Sequence, residues 1–313
     1  MTQYNSICKI CGKDFGKTGS LHKHLKSHDY YVADYYVEFY GRKNKFTGDL
    51  LPFKDIESYF NKDFSNRIQM NKWLNSVSEE EGRNYIQSVI MDRVKEKKRE
   101  YLPFHLELEN CFLPKMDMVK QKFGSYSSFS KTVGTDPLFD KNIVDGFFDK
   151  TLPSDLEIAI DTREQKPLSF DCGHRSHKLS FGDYTLFGDN YNYTFVDRKS
   201  ATDFCGTMVG ENLERFKREV KLAANMDAYI FVVIESSVSK IIKMQKKFKR
   251  KASIDYILKN MRDISYEFPR RCQFVFAEDR KFSQFLIPRI LYFGQDVWRT
   301  DLQYFIDKKK EQN

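Results

Sequence analysis

Four ligand-type residues near the N-terminus constrain this chain more than any other feature. In CKICGKDFGKTGSLHKHLKSH, two residues separate Cys8 from Cys11, three separate His24 from His28, and twelve lie between the pairs. Two thiolates from a turn and two imidazoles one helical turn apart can close a tetrahedron around a single Zn²⁺. Phe15 and Leu21 fall where so small a unit needs its apolar core. The alternative, four scattered ligands in a flexible tail, is disfavoured by the tight spacing. His22 is surplus to the tetrahedron and is expected in solvent.

In every fixed position this segment resembles a C2H2 zinc finger, which implies a small ββα unit over residues 1–28 holding one Zn²⁺. Counting back from His24 as the seventh helical residue, the resemblance puts Lys17, Ser20 and Lys23 at the base-reading positions. One finger covers only about 3 bp, so it would be an accessory to recognition. A protein partner is conceivable for it, but its five lysines against one aspartate favour DNA.

The chain has 313 residues, room for two or more domains, and a formal net charge of +8 that inclines it mildly toward polyanions. No stretch approaches the ~20 apolar residues of a membrane span, and MTQYNSICKI lacks the apolar core of a secretory signal. The expectation is an intracellular, DNA-associated protein, in a bacterial cytoplasm if it is phage-encoded. The six cysteines read as thiols or metal ligands rather than a disulfide framework. An aromatic content of 15% argues against extended disorder.

Residues 29–77 are dense in Tyr and Phe. The spacing of Tyr31, Tyr35 and Phe39, then of Ile56, Phe60 and Phe64, suits amphipathic helices with aromatic core stripes, and base stacking is the minority reading of these aromatics. SEEE at 78–81 is a capping start for a helix, and Gly124-Ser125 between two short helical patterns suggests a helix-turn-helix-like unit within a helical DNA-binding region, 78–135. The FGS turn in LPKMDMVKQKFGSYSSFSKTVG resembles that of the small helical repeat accompanying many homing endonucleases. SLHKHLKSHDYYVADYY is similar to the finger-plus-helix opening of phage-encoded mobile endonucleases. An ordinary helical domain without a nucleic-acid role remains the alternative. Residues 136–155, acidic and turn-rich, read as a linker.

From 156 to 306 the pattern becomes α/β. LEIAIDTRE, HKLSFGDYTLF, YNYTFVDRKS, AYIFVVIESS and CQFVFAED read as strands, with helices between the later ones and at the end. That describes a mixed sheet flanked by helices, followed by a basic tail, 307–313. Three strand ends carry carboxylates: Asp161 and Glu164 in DTRE, Asp183 in GDY, and Asp197 two residues before Lys199. Residues i and i+2 of a strand share a face, so Asp197 and Lys199 project together and Arg198 points away. A surface ion pair would explain them blandly. Carboxylates on neighbouring strands could instead hold Mg²⁺ or Mn²⁺ at Asp183 and Asp197 beside a scissile phosphate, with Lys199 orienting the attacking water or steadying the developing charge.

The order DTRE, GDY, VDRK and then Asp203 resembles the nuclease domain of XPF-type endonucleases, members of the PD-(D/E)xK class with the signature GDx(n)ERKx(3)D. The resemblance runs over residues 157–235 and includes ERFKRE and FVVIE. It implies catalytic roles for Asp161, Glu164, Asp183, Asp197 and Lys199, DNA contacts from Arg198 and Arg215, and a homodimer through this domain. Asp197 stands where the family usually has Glu, and KKKEQN ends the sequence without tandem helix-hairpin-helix domains, which puts branched-DNA specificity in doubt. Arg215 and Glu219 could be site-supporting residues or a plain i,i+4 pair. KIIKMQKKFKRK, with seven bases and no acid, offers Lys246, Lys247, Lys249 and Arg250 to phosphate. Cys172, His174 and His177 look like a cluster, but they lack a fourth ligand and read as a solvated loop. The sequence therefore predicts a metal-dependent endonuclease on double-stranded DNA, site-specific and homing-type. The alternatives are a structure-specific nuclease on branched or flapped DNA and an inactive DNA-binding protein.

Overall fold

A computed structural model describes residues 6–247 and 252–312. These form two compact units, one running through Ile90 and taking in Cys111–Gly124, the other comprising Met91–Asn110 and Ser125 onward.

In the first unit, a single antiparallel bridge, Ile7 with Asp14, closes the cysteine turn, and helix α1 (Thr18–Leu25) follows. Helix α2 (Val32–Tyr40) packs on α1 through Tyr35 and Tyr36. Of the stripe expected along α2 only Tyr35 is buried: Tyr31 is the residue before the helix and is 81% exposed, Phe39 is exposed, and Tyr36 is buried beside Tyr35. His22 is half-buried rather than solvated, against the Tyr36 hydroxyl at 3.3 Å. Short helices α3 (Ile56–Asn61) and α4 (Arg67–Ser76) are capped by Asp55 and Asn66 side chains. Phe64 falls beyond α3, in the turn before α4. Ser78 caps the start of α5 (Glu79–Glu96), accepting from Glu81 N–H at 3.2 Å.

Helix α6 (His105–Asn110) belongs to the second unit and α7 (Met116–Phe123) to the first. Gly124 stops α7 at φ +78°, a backbone that favours glycine, and Ser125 then caps α8 (Tyr126–Val133) in the second unit. Residues 136–155 are no free linker. Leu138, Phe139 and Phe147 are buried in the second unit's core, and Asp140 N–H bonds Arg299 C=O at 2.6 Å.

The second unit is built on a six-stranded sheet in the order β2-β1-β3-β4-β5-β6. The strands are β1 (Glu157–Asp161), β2 (Gly173–His177), β3 (Tyr184–Leu186), β4 (Thr194–Lys199), β5 (Tyr229–Ile234) and β6 (Cys272–Phe276). β3 runs antiparallel to both neighbours; the remaining pairs are parallel. This is the mixed, helix-flanked sheet expected, with one added strand. GHRSH, read as a loop, extends along β1 as a fully exposed edge, where neither face need be apolar and alternation is silent.

Strand β5, YIFVVI, between β4 and β6, is buried throughout because both its faces are covered. Ile230, Val232 and Ile234 join the core under α9 (Ala201–Thr207), α10 (Gly210–Asn225) and α12 (Ile254–Glu267). Tyr229, Phe231 and Val233 join the opposite core with α13 (Arg280–Phe293) and α14 (Leu302–Gln312). The helix expected after β4 is two, broken before Gly210 at φ +56°. Helix α11 (Val238–Lys247) carries the first half of the basic run.

Candidate active site

Strand direction alone gathers the charged residues. β1 and β4 both run opposite to β3, so the C-terminal ends of β1 and β4 meet the N-terminal end of β3. The register Tyr184 opposite Val196 sets the preceding Asp183 across from Asp197. Backbone bonds extend the ladder one step further, from Asp183 N–H to Val196 C=O and from Asp161 N–H to Asp183 C=O, each 2.8 Å. Directly opposed residues share a face, so the two carboxylates are neighbours.

Gly182 makes this turn possible. Its φ is +67°, and a Cβ there would stand 3.2 Å from Val196 O. Its N–H donates to Glu219 Oε1 at 3.0 Å, so α10 reaches down to hold the turn that presents Asp183. Asp183 Oδ2 accepts the Arg198 amide at 2.7 Å. Burial first, and the Asp197 charge second, push Asp183 up to about 8.

Asp197 is only 6% exposed. Its Oδ1 accepts from Lys199 Nζ at 3.0 Å; Oδ2 lies 2.8 Å from the same ammonium yet receives no directed hydrogen bond. Burial pulls the Lys199 pKa down, but Asp197, and after it Asp183 and Glu219, outweigh this, so the ammonium stays charged. Burial and then Asp197 also raise Glu219. Buried carboxylates held this close, with one oxygen lacking a directed donor, suit a hard divalent cation with oxygen ligands.

The same electrostatics give a stability prediction. Asp183 has a folded pKa of about 8 and an unfolded one near 3.8, so between those values the folded chain holds the extra proton. The cation-free protein therefore loses stability as pH rises from about 4 toward 8. Asp183→Asn removes the group that must ionise. At pH 8 without divalent cation, this variant is expected to melt on the order of several degrees above the parent, and to lose the advantage as pH falls toward about 4. An unchanged or lower melting temperature at pH 8 would contradict this environment for Asp183.

Other residues singled out in the sequence meet different surroundings. Asp161 accepts four bonds, from the Arg163 amide (2.7 Å), the Arg163 guanidinium (2.7 and 3.0 Å) and the Leu179 amide (2.7 Å). Burial would raise its pKa, but these donors hold it below the usual carboxylate range. Glu164 is clasped by the Arg198 guanidinium at 3.0 Å and by the Lys166 amide at 2.7 Å. Arg198, expected among the DNA contacts, is instead largely buried between Glu164 and Glu235, the latter also at 3.0 Å. Its position on the far side of the strand from Lys199 directs it there.

Asp203 lies in the first turn of α9 and exchanges bonds with Ser200, whose Oγ accepts its N–H at 3.2 Å. Arg215 is exposed on α10, and Glu219 turns to Gly182 rather than to it. Lys246 and Lys247 lie in α11, their side chains outside the described ones, and Lys249 and Arg250 lie outside the described residues. Cys172 is half-buried, while His174 and His177 are exposed on β2. Among the described residues, the one place where three or more His, Cys, Asp or Glu side chains gather their ligand atoms is at the N-terminus.

There, ligand atoms of Cys8, Cys11, His24 and His28 all lie within 4.8 Å of one another. Cys11 Sγ is 3.3 Å and His28 Nε2 3.0 Å from His24 Nε2. The edges of a tetrahedral zinc site measure about 3.3–3.8 Å, so two thiols and two imidazoles gathered at this spacing fit Zn²⁺. Lys17, Ser20 and Lys23 are exposed, and α1 begins at Thr18.

Residues 160–290 match the family model of the ERCC4 domain, the XPF-type nuclease domain. This segment contains Asp183, Asp197, Lys199 and Glu219. No curated protein matches the chain. Among solved structures, XPF from Aeropyrum pernix in complex with DNA is 16% identical, with a TM-score of 0.35, over 44% of this chain and 63% of that one. XPF from the same organism without DNA is 15% identical, with a TM-score of 0.34, over 50% of this chain and 70% of that one. The chain thus spans less than two thirds of the length of the first.

Proposed function

We propose that this chain, whose residues 160–290 form an ERCC4 domain, is a divalent-metal-dependent DNA endonuclease. The observation carrying this reading is Asp183 facing Asp197 across the β3–β4 register, with Lys199 tied to Asp197 on the same side. Asp183 and Asp197 would hold Mg²⁺ or Mn²⁺. When bound, such a cation neutralises charge on the scissile phosphate and makes a water more acidic.

The chain's own groups supply the rest. Lys199, kept protonated by its carboxylate neighbours, can donate to a phosphate oxygen as negative charge develops there. Glu219, through Gly182, fixes the turn bearing Asp183, and the Arg198 amide fixes the carboxylate itself. Asp161 and Glu164 act one layer out: Asp161 ties the strand end to Leu179, and Glu164 anchors Arg198. Hydrolysis adds the water oxygen to phosphorus and breaks one P–O ester bond, and the leaving oxygen takes up a proton.

The ERCC4 domain favours a structure-specific enzyme acting on branched or flapped DNA. A site-specific, homing-type enzyme is the second reading. It is supported by Lys17, Ser20 and Lys23, all exposed around α1 beside the Cys₂His₂ group, which would hold one Zn²⁺. Cleavage by the full chain in Mg²⁺, of a randomised linear library alongside flaps and junctions of unrelated sequence, separates the two. Cutting that follows the branch whatever the sequence is the expected result. Enrichment of one linear sequence would establish the site-specific reading in its place. Absence of any metal-dependent nicking would mark the nuclease fold as inactive.

A further inference from the structure

A cleft of about 490 Å³ lies wholly within the first unit, lined by Lys45, Trp73, Glu81, Asn84, Tyr85 and Ser88. Glu81, Asn84, Tyr85 and Ser88 recur at helical spacing on one face of α5, and Trp73 comes from α4. The Trp73 and Tyr85 rings meet edge to face at 5.0 Å, and neither is fully buried. Lys45 Nζ sits 4.8 Å from the Tyr85 ring centroid and 5.7 Å from that of Trp73. Asp63 holds this ammonium at 3.1 Å, but Arg42 shares the same carboxylate at 2.6 Å, so two cations face one anion.

We infer that this cleft takes one unpaired nucleobase of a single DNA strand. The partly exposed Trp73 and Tyr85 rings offer stacking, which suits any base, once Lys45, which lies over them, swings out toward a phosphate. Lys45 stands where a flanking phosphate needs a cation, and the exposed Asn84 amide and Glu81 carboxylate can meet the polar edge of the base. Paired bases in a duplex keep their faces in the stack and cannot enter. Single-stranded segments accompany flaps, junctions and nicked ends, so the cleft would hold the strand that a cut leaves unpaired.

The inference rests on the chain handling DNA and not on cleavage, so it is tested by binding, with no divalent cation added. Anisotropy of a labelled single-stranded oligonucleotide, titrated with the full chain, is compared for the parent, Trp73→Leu, Lys45→Met and Asn84→Ala. Trp73→Leu is expected to weaken binding about tenfold, the usual effect of removing one stacking aromatic. Asn84→Ala, at an exposed position that does not threaten folding, should weaken it a few-fold. An oligonucleotide of the same length with abasic sites keeps the phosphates but has nothing to stack. The parent should bind it about tenfold less well, and Trp73→Leu should cost nothing further. Equal affinity of parent and Trp73→Leu for the intact strand, or the same loss on the abasic strand, would overturn the inference. A chain that binds in this way yet never cuts would refute the nuclease reading alone.

Discussion

Asp183→Ala and Asp197→Ala are each expected to abolish DNA cleavage while leaving DNA affinity within a few-fold of the parent. Both carboxylates face the same small volume at the ends of β3 and β4, and both are largely hidden from water. Deleting either removes half of the side chains proposed to hold the cation. Charge stabilisation by a bound metal is worth several kcal/mol, so a loss of roughly a thousandfold or more is expected. Affinity behaves otherwise, because it comes from cations meeting phosphates, and removing an anion from the site cannot weaken that term. Lys199→Ala should fall less far, by about a hundredfold, since the ammonium assists a charge that the cation already offsets. Single-turnover cleavage of a flap, with a gel-shift titration on the same samples, measures both quantities. Full turnover by either aspartate variant would sink the site assignment.

How much of this site was legible follows from the range of each interaction. Asp197 and Lys199 share a face by strand alternation alone, and the same rule sends Arg198 the other way. What Arg198 meets there, Glu164 and Glu235, depends on strand order, and local pattern carries no information about strand order. Asp183 and Asp197 stood out as carboxylates at strand ends, and the antiparallel β3–β4 register then set them opposite each other. Glu219 was left open between supporting the site and a plain helix pair, because its helix offered an adequate local partner in Arg215. Its actual contact, the Gly182 amide, is 37 residues away in sequence. Two hints were available: Glu219 closes ERFKRE, within the family resemblance, and it borders the buried stripe of Leu213, Phe216 and Val220, an odd place for a carboxylate without a task. The mixed sheet was readable because β1, β4, β5 and β6 are apolar runs between turns. The edge strand β2 was not, since nothing about GHRSH distinguishes an exposed strand from a loop.

Cys8→Ser is expected to release one Zn²⁺ per chain and to unfold far more than a small finger. A structural zinc contributes on the order of 10 kcal/mol to its fold, comparable with the whole stability of a small domain. Here the ligand is not set apart from its surroundings. Cys8 is completely buried and shares one apolar cluster with Leu21, Leu25, Tyr35, Tyr36, Leu51 and Tyr59. The Tyr35 hydroxyl accepts the Lys9 amide at 2.8 Å, which bonds the cysteine turn to α2. Loss of the metal should therefore propagate through α1 and α2 to the aromatic layer around Tyr59. Amide exchange in α1 and α2 is expected to approach unprotected rates in the variant, while amides of β4 and β5 stay protected because their core has no part in this cluster. If the proposed nuclease activity is present, nicking by the second unit should persist in the variant. Two measurements decide the matter: elemental analysis of the parent protein, where finding no zinc refutes the site outright, and exchange in the variant. Protection retained in α2 while zinc is lost would show that the aromatic cluster holds the fold without the metal.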